Sequence, residues 1–160
     1  MFKIGDKAVY PSHGVGVVES IETRELYGNK KTYYILRILD NGMTIMVPTD
    51  NVDAVGMREL ISEDLVPRVF DILREKRIVV ESHPWNRRLR EYSEKIKTGS
   101  VFEIAEVLRD LHLLKIHKEL SYGEKKMLEM AKSFLVKELA IASGIKEDTI
   151  GRRIDSLFKA

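Results

Sequence analysis

The segment TYYILRILDNGMTIMVP, residues 32–48, contains two β-prone runs joined by Asp40-Asn41-Gly42. β-Branched and aromatic side chains dominate both runs, as is typical of paired strands. An Asn-Gly dipeptide tolerates positive φ at both central positions of a tight turn, which makes it the strongest hairpin signal in the chain. The segment therefore predicts an antiparallel hairpin whose second strand ends at Pro48.

Two shorter β patterns precede this hairpin, at Lys7–Tyr10 and Gly14–Ile21, and Tyr27–Lys30 is a tight-turn signal. Several short antiparallel strands in so small a span predict a compact barrel of SH3 or Tudor type. We therefore expect residues 1–56 to form a small β domain. Domains of this type bind partners through an exposed strand edge or a groove.

The run Met43–Pro48 has the features of an edge strand, because a proline is tolerated best at a sheet edge. An edge strand offers unpaired backbone groups to a partner. Alternatively, Met46 fills the core of the small barrel, since methionine adapts to irregular space. The residues alone leave both interpretations open.

After Gly56 the apolar period changes from two to between three and four, which indicates helices. We expect residues 57–62 to be a linker and residues 63–160 to form a bundle of four to five α-helices. The residues predicted to face its core include Val66, Val69, Phe70, Leu73, Val101, Ile104, Leu108, Leu111, Leu128, Leu135 and Leu139.

Helix-start signals divide the second half of the chain. Ser62 is a candidate N-cap, and the pairs Ser100/Glu103 and Ser121/Glu124 have the spacing of a capping box. Further helices are expected from near Pro84 to Gly99 and over residues 147–158.

The chain's single tryptophan, Trp85, lies directly before Arg87, Arg88 and Arg90. A large ring near a helix N-terminus, flanked by guanidinium groups, is suited to a nucleic-acid groove. The alternative is burial, because Trp85 begins an apolar stripe that continues through Leu89, Tyr92 and Ile96. Spacing alone does not decide between them.

The composition excludes several classes of protein. Of the 160 residues 44% are hydrophobic and 32% charged, and none is cysteine. Disulfide frameworks and thiolate metal sites are therefore excluded, and no apolar run approaches the ~18 residues of a membrane span. The N-terminus has no signal-peptide pattern, so we expect a cytoplasmic protein without a membrane partner. The net charge of +2 does not by itself indicate nucleic-acid binding.

No motif for catalysis, metal binding or cofactor binding occurs in the sequence. We therefore expect neither an enzyme nor a cofactor. One further motif, residues 140–153, has the glycine turn of a helix-turn-helix, from which Lys146, Arg152 and Arg153 would reach a major groove. Two bundle helices joined by a glycine cap give the same pattern, and we favour that interpretation.

Taken together, longer runs of the sequence resemble the CarD/CdnL family of bacterial transcription regulators, and most of all its CdnL type. The resemblance extends from end to end and is carried by FKIGDKAVYP at 2–11, YILRILDNGM at 34–43, WNRR at 85–88, KIKTGSVFEIAEVLRDL at 95–111 and LSYGEK at 120–125.

The resemblance implies a Tudor-like N-terminal domain that binds the β subunit of RNA polymerase. The residues matching the polymerase-binding surface are Arg24, Leu36, Met46 and Pro48. Some relatives have an arginine at the position of Met46, so the resemblance implies apolar contact here rather than a salt bridge.

The resemblance also implies a helical C-terminal domain that contacts promoter DNA at the upstream fork of the bubble. Trp85 would wedge into the minor groove and stabilise the open complex, with Arg87 and Arg88 on phosphates. We expect the neighbouring Arg90 to bind DNA as well. Without polymerase, DNA binding is expected to be weak and non-specific. We expect a monomer. The rival hypotheses are an autonomous DNA-binding regulator that uses residues 140–153 and a protein–protein adaptor.

Overall fold

The computed structural model describes residues 1–75 and 85–158, and for residues 85–87 it describes the backbone but not the side chains. The chain divides into two compact units, Met1–Leu60 and Ile61–Ala160.

The N-terminal unit is built on a five-stranded antiparallel sheet. Its strands are β1 (Lys7–Tyr10), β2 (Gly14–Leu26), β3 (Asn29–Ile38), β4 (Thr44–Pro48) and β5 (Arg58–Glu59), with a short helix α1 (Val52–Val55) before the last. The order across the sheet is β4-β3-β2-β1-β5, so β4 forms one edge. The predicted hairpin and the predicted edge position of residues 44–48 are both confirmed.

The hairpin turns differ from expectation in one detail. Positive φ at two successive positions occurs at Tyr27 and Gly28, with values of 53° and 79°, in the two-residue loop between β2 and β3. In the Asn41-Gly42 loop only Gly42 has positive φ, at 72°. That loop is longer, because its closing hydrogen bond runs from the Ile38 N–H to the Met43 carbonyl at 2.8 Å.

The main core cluster of the N-terminal unit lies on one face of the sheet. Its buried residues are Phe2, Ala8, Val18, Tyr34, Leu36, Ile38, Val47 and Met57. A Cβ added to Gly16 would lie 2.7 Å from Leu36 Cγ, so glycine permits the close approach of β2 to β3. Met57 is in this core and Arg58–Glu59 pair with β1, so residues 57–59 of the expected linker belong to the β unit.

The C-terminal unit contains five α-helices in its described part, which agrees with the predicted bundle. They are α2 (Val66–Arg74), α3 (Trp85–Lys97), α4 (Val101–His117), α5 (Tyr122–Ser143) and α6 (Glu147–Leu157), and a 3-10 turn (Glu63–Leu65) precedes α2. Most of the residues predicted to face the core do so. Those buried include Val69, Phe70, Leu73, Val101, Ile104, Leu108, Leu111, Leu135 and Leu139, whereas Val66 and Leu128 are partly buried.

One of the two predicted capping boxes forms. The N–H of Glu124 donates to Ser121 Oγ at 3.2 Å, and the N–H of Ser121 donates to Glu124 Oε1 at 2.9 Å. Ser100 makes no side-chain cap. There the hydroxyl of Thr98 donates to the Glu103 carboxylate, which is thereby drawn away from the backbone of Ser100. Ser62 likewise makes no side-chain cap.

Candidate functional site

The register of β2, β3 and β4 assigns the predicted docking residues to faces of the sheet. Met46 lies opposite Ile35, Pro48 opposite Tyr33, and Arg24 opposite Lys31. Because side chains alternate between faces along a strand, the positions of Arg24, Met46 and Pro48 share the face opposite the core. We call this the outer face.

The predicted docking positions on the outer face are accessible, whereas Ile35 on the same face is buried. Met46 exposes 40% of its surface, Arg24 is exposed and Pro48 is half-buried. The interpretation of Met46 as core filler is therefore wrong. Arg24 is held only loosely, since its contact with Glu22 is 3.5 Å long and both side chains are solvated.

Leu36, the fourth residue expected on the docking surface, faces the other way. It lies in register with Ile45 and Val18 and is fully buried in the core. Its side chain therefore cannot contact a partner in this structure. Leu36 supports the outer face only indirectly, because its packing in the core holds β3 in place and with it the neighbouring Ile35.

Helix α3 carries the predicted DNA-contacting residues. The side chains of Trp85 and Arg87 lie outside the described residues, and so do His83 and Pro84 in front of them. Arg90 is exposed to solvent, as a phosphate contact requires.

The buried part of α3 is its apolar stripe. Tyr92 and Ile96 are 6% and 4% exposed and pack in the core of the helical unit, while Leu89 is half-buried. Burial and the nearby charge of Asp110 raise the pKa of Tyr92 to about 12. The phenol is thus neutral throughout the physiological range.

Arg88 lies in an ion pair inside the helical unit. Its Nη2 donates to Glu124 Oε2 at 3.1 Å, and the two side chains are 12% and 2% exposed. The other carboxylate oxygen of Glu124 accepts a hydrogen bond from the Ser121 N–H and lies 3.2 Å from Lys118 Nζ. Arg88 therefore differs from Arg90 in its accessibility to DNA.

The candidate helix-turn-helix at residues 140–153 forms the glycine-capped turn that we favoured. Gly144 adopts φ of 70°, and the Ile145 N–H donates to the Ala140 carbonyl at 3.2 Å. Ile150 and Ile154 bury one face of α6 in the core. The exposed first turn carries Glu147 and Asp148, whose charges repel phosphates where a recognition helix would approach a groove.

A groove in the helical unit contains the one described histidine with a markedly shifted pKa. His112 stacks on Phe158 with ring centroids 4.1 Å apart, and its Nε2 has no hydrogen-bond partner within the described part of the chain. Burial, reinforced by the charge of Lys115, lowers the pKa of His112 to about 4. Among residues 1–75 and 85–158 no group of three His, Asp or Glu side chains is placed to hold a metal ion.

In the described ranges no helix is both long and apolar enough to cross a membrane.

Comparison with known proteins gives matches for both units. The CarD-like/TRCF RID domain model matches residues 2–61, and the CarD C-terminal domain model matches residues 68–155. A putative transcription factor of Bacillus subtilis (strain 168), YdeB, is 39% identical over 153 residues, which cover 94% of this chain and 97% of the relative. The chain belongs to the CarD/CdnL family. It is accordingly a transcription regulator whose N-terminal unit is the family's RNA polymerase-interacting domain.

Two solved N-terminal domains of CarD/CdnL proteins are similar to this chain over less than half of its length. The N-terminal domain of CdnL from Myxococcus xanthus is 56% identical, with 39% of this chain and 87% of that chain covered and a TM-score of 0.34. The N-terminal domain of CarD from the same organism is 37% identical, with 37% and 79% covered and a TM-score of 0.33. The two domain models and the Bacillus relative confirm the predicted family, and the match of the RID domain model to residues 2–61 confirms the Tudor-like fold class.

Sequence reasoning missed Glu124 as part of the α3 site. It recognised this residue only as the second member of a capping box, and that is the one signal the sequence contains. Its pairing with Arg88 spans 36 residues and has no local signature.

Proposed function

We propose that this protein binds the β subunit of RNA polymerase through the outer face and the β4 edge, and stabilises the promoter open complex through α3. In this proposal Trp85 enters the minor groove at the upstream fork of the bubble, and Arg87 and Arg90 contact phosphates beside it.

The observation that carries most weight is the placement of Met46 and Pro48 in the polymerase-interacting domain. Both lie on the outer face of a strand at the edge of the sheet, so their apolar side chains are presented beside a free strand edge. This combination suits the addition of a partner strand. Arg24 extends the same face with a cation whose contact with Glu22 is weak.

The charge of the protein supports a DNA role that depends on polymerase. With a formal net charge of +2, the chain provides little of the electrostatic attraction that drives autonomous duplex binding. Anchorage on polymerase raises the effective concentration of α3 at the promoter. Weak contacts by Arg87 and Arg90 are then sufficient.

A tryptophan at the start of α3 suits a wedge at melted DNA. Opening a base step costs a few kcal/mol, and this cost is smallest beside bases that are already unpaired. An indole that stacks on the last base pair of the duplex would offset this free-energy cost and slow the reannealing of the strands. The proposal therefore concerns open-complex lifetime more than promoter affinity.

The deciding experiment measures the lifetime of competitor-challenged open complexes with Trp85→Ala. We expect about a tenfold shorter lifetime, equivalent to ~1.4 kcal/mol, with unchanged binding to polymerase. Met130→Ala is the matched control, because it removes an exposed apolar side chain from the same unit at a site on α5. Equal lifetimes for Trp85→Ala and the parent contradict the proposal.

A further inference from the structure

The ion pair of Arg88 with Glu124 connects the first turn of α3 to the first turn of α5. The N–O distance is 3.1 Å, and little of either side chain reaches solvent. A phosphate ligand must present its guanidinium outward, as Arg90 does. The guanidinium of Arg88 is instead paired with the carboxylate of Glu124 in the same chain.

The carboxylate of Glu124 is held in place by contacts other than Arg88. Its Oε1 accepts from the Ser121 backbone and lies next to Lys118 Nζ, whereas its Oε2 accepts from Arg88. Burial alone raises the pKa of Glu124, but hydrogen bonds from Ser121 and Lys118 outweigh it and the pKa lies below the usual value. The carboxylate is therefore charged at neutral pH and immobilised by the α5 cap.

Arg88 is also well placed along α3. It lies four residues before the buried Tyr92 and three residues after Trp85, which is close to one turn in each direction. The core contacts of Tyr92 and Ile96 hold the middle and end of the helix. The pair with Glu124 holds the first turn of the helix, to which the backbone of Trp85 belongs.

We propose that Arg88, Glu124 and Lys118 form a positioning cluster that fixes the first turn of α3, and that Arg88 is not a phosphate ligand. The cluster fixes the backbone of the turn that carries Trp85. The effect of the cluster on open-complex lifetime rests on the wedge role of Trp85 proposed above. Its effect on the motion of the first turn of α3 in the free protein does not depend on that role.

Neutralising Glu124 separates the two possible roles of Arg88. If Arg88 held a phosphate, Glu124→Gln would release the guanidinium and add positive charge, so open complexes would last longer. If Arg88 positions α3, Glu124→Gln and Arg88→Met both shorten the lifetime. The glutamine amide oxygen still accepts from Ser121, so the helix cap remains in place.

The test in the free protein uses the fluorescence anisotropy decay of Trp85, the only tryptophan in the chain. We expect Glu124→Gln and Arg88→Met to increase the fast local motion of the indole. Glu106→Gln is the matched control, because Glu106 binds Lys95 at 2.8 Å near the other end of α3. It should leave the decay unchanged, although it also removes a carboxylate partner of this helix.

The test in the open complex is a double-mutant cycle on lifetime. Each single variant should shorten it roughly threefold to tenfold, and the double variant no further, because both remove one interaction. The dependence of lifetime on salt should keep the parent's slope, whereas loss of a phosphate contact reduces that slope by about one. Arg88→Lys, which keeps the charge, should fall between parent and Arg88→Met and remains usable if Arg88→Met does not fold.

Two results overturn the positioning cluster: a longer lifetime for Glu124→Gln, or an indole decay in Glu124→Gln that matches the Glu106→Gln control. Failure of the wedge role has a different signature. In that case Trp85→Ala leaves the lifetime unchanged, while the anisotropy of the cluster variants still changes.

Discussion

Met46 and Ile21 expose 40% and 39% of their surfaces on opposite faces of one sheet. Ile21 is in register with the buried Tyr34, whereas Met46 is in register with Ile35 on the outer face. Exposure therefore does not distinguish the two residues, and the strand register does. This gives the docking proposal a control matched in accessibility.

We predict that Met46→Ala weakens binding to the polymerase β subunit about fivefold or more, since burying such a side chain contributes on the order of 1–2 kcal/mol. Ile21→Ala should leave the affinity within twofold of the parent's, because its side chain lies on the opposite face. Titration of labelled protein with the β subunit measures both. Equal losses for the two variants would contradict docking through the outer face.

Leu36→Ala should act through stability. Emptying a fully buried leucine site destabilises by ~2–5 kcal/mol, so hydrogen exchange in residues 1–60 should accelerate. Below the unfolding transition the folded fraction should bind polymerase with the parent's affinity. A fully folded Leu36→Ala protein that binds weakly would instead indicate direct contact.

The two serines at helix starts provide a test of the observed caps. Ser121→Ala removes the hydrogen bond to the Glu124 N–H and should lower the free energy of unfolding by about 1 kcal/mol. Ser100→Ala removes no side-chain cap and should lower the free energy of unfolding by only a few tenths of the Ser121→Ala value. Urea unfolding measured on both variants checks the difference, and similar losses would show that Ser100 also caps its helix.

Acid should destabilise the helical unit through His112. Its pKa is near 4 in the folded protein against 6.5 for the ordinary group, because burial and Lys115 disfavour the charged ring. Between these values the unfolded chain binds more protons, so stability rises with pH and is lost as pH falls from 6.5 towards 4. Allowing for partial exposure, we expect a loss of ~1–2 kcal/mol.

His112→Phe isolates that contribution, since phenylalanine keeps the stacking on Phe158 and cannot titrate. The difference in unfolding free energy between parent and variant should change across pH 4–6.5. Mutation of the exposed His117 to Gln should leave the pH profile of the parent intact. Parallel profiles for the parent and His112→Phe would rule out the histidine as the origin.

Local signals predicted the elements of this fold well, and tertiary geometry decided their details. The period of two and the Asn41-Gly42 signal predicted the hairpin, yet the two-residue turn with positive φ at both positions formed at Tyr27 and Gly28. The loop after Ile38 closes through Met43 and is too long for such a turn. Sequence predicts that a reversal occurs more reliably than it predicts turn type.

In the candidate site, too, some features can be predicted from local sequence and others depend on tertiary geometry. Alternation along β4 is readable from sequence, but whether Met46 or Leu36 faces the core depends on register with a neighbouring strand. The basic character of residues 87–90 is likewise readable. That Arg88 is paired internally depends on Glu124, which belongs to another helix.

The backbone at the start of the helical unit has a bearing on where the chain tolerates truncation. The Ile61 N–H donates to Glu138 Oε2 at 2.8 Å, and Glu138 is only 3% exposed. A fragment that begins at residue 63 lacks this donor to a buried carboxylate, whereas one that begins at residue 60 keeps it. The shorter fragment should therefore melt at the lower temperature, although it omits only three residues.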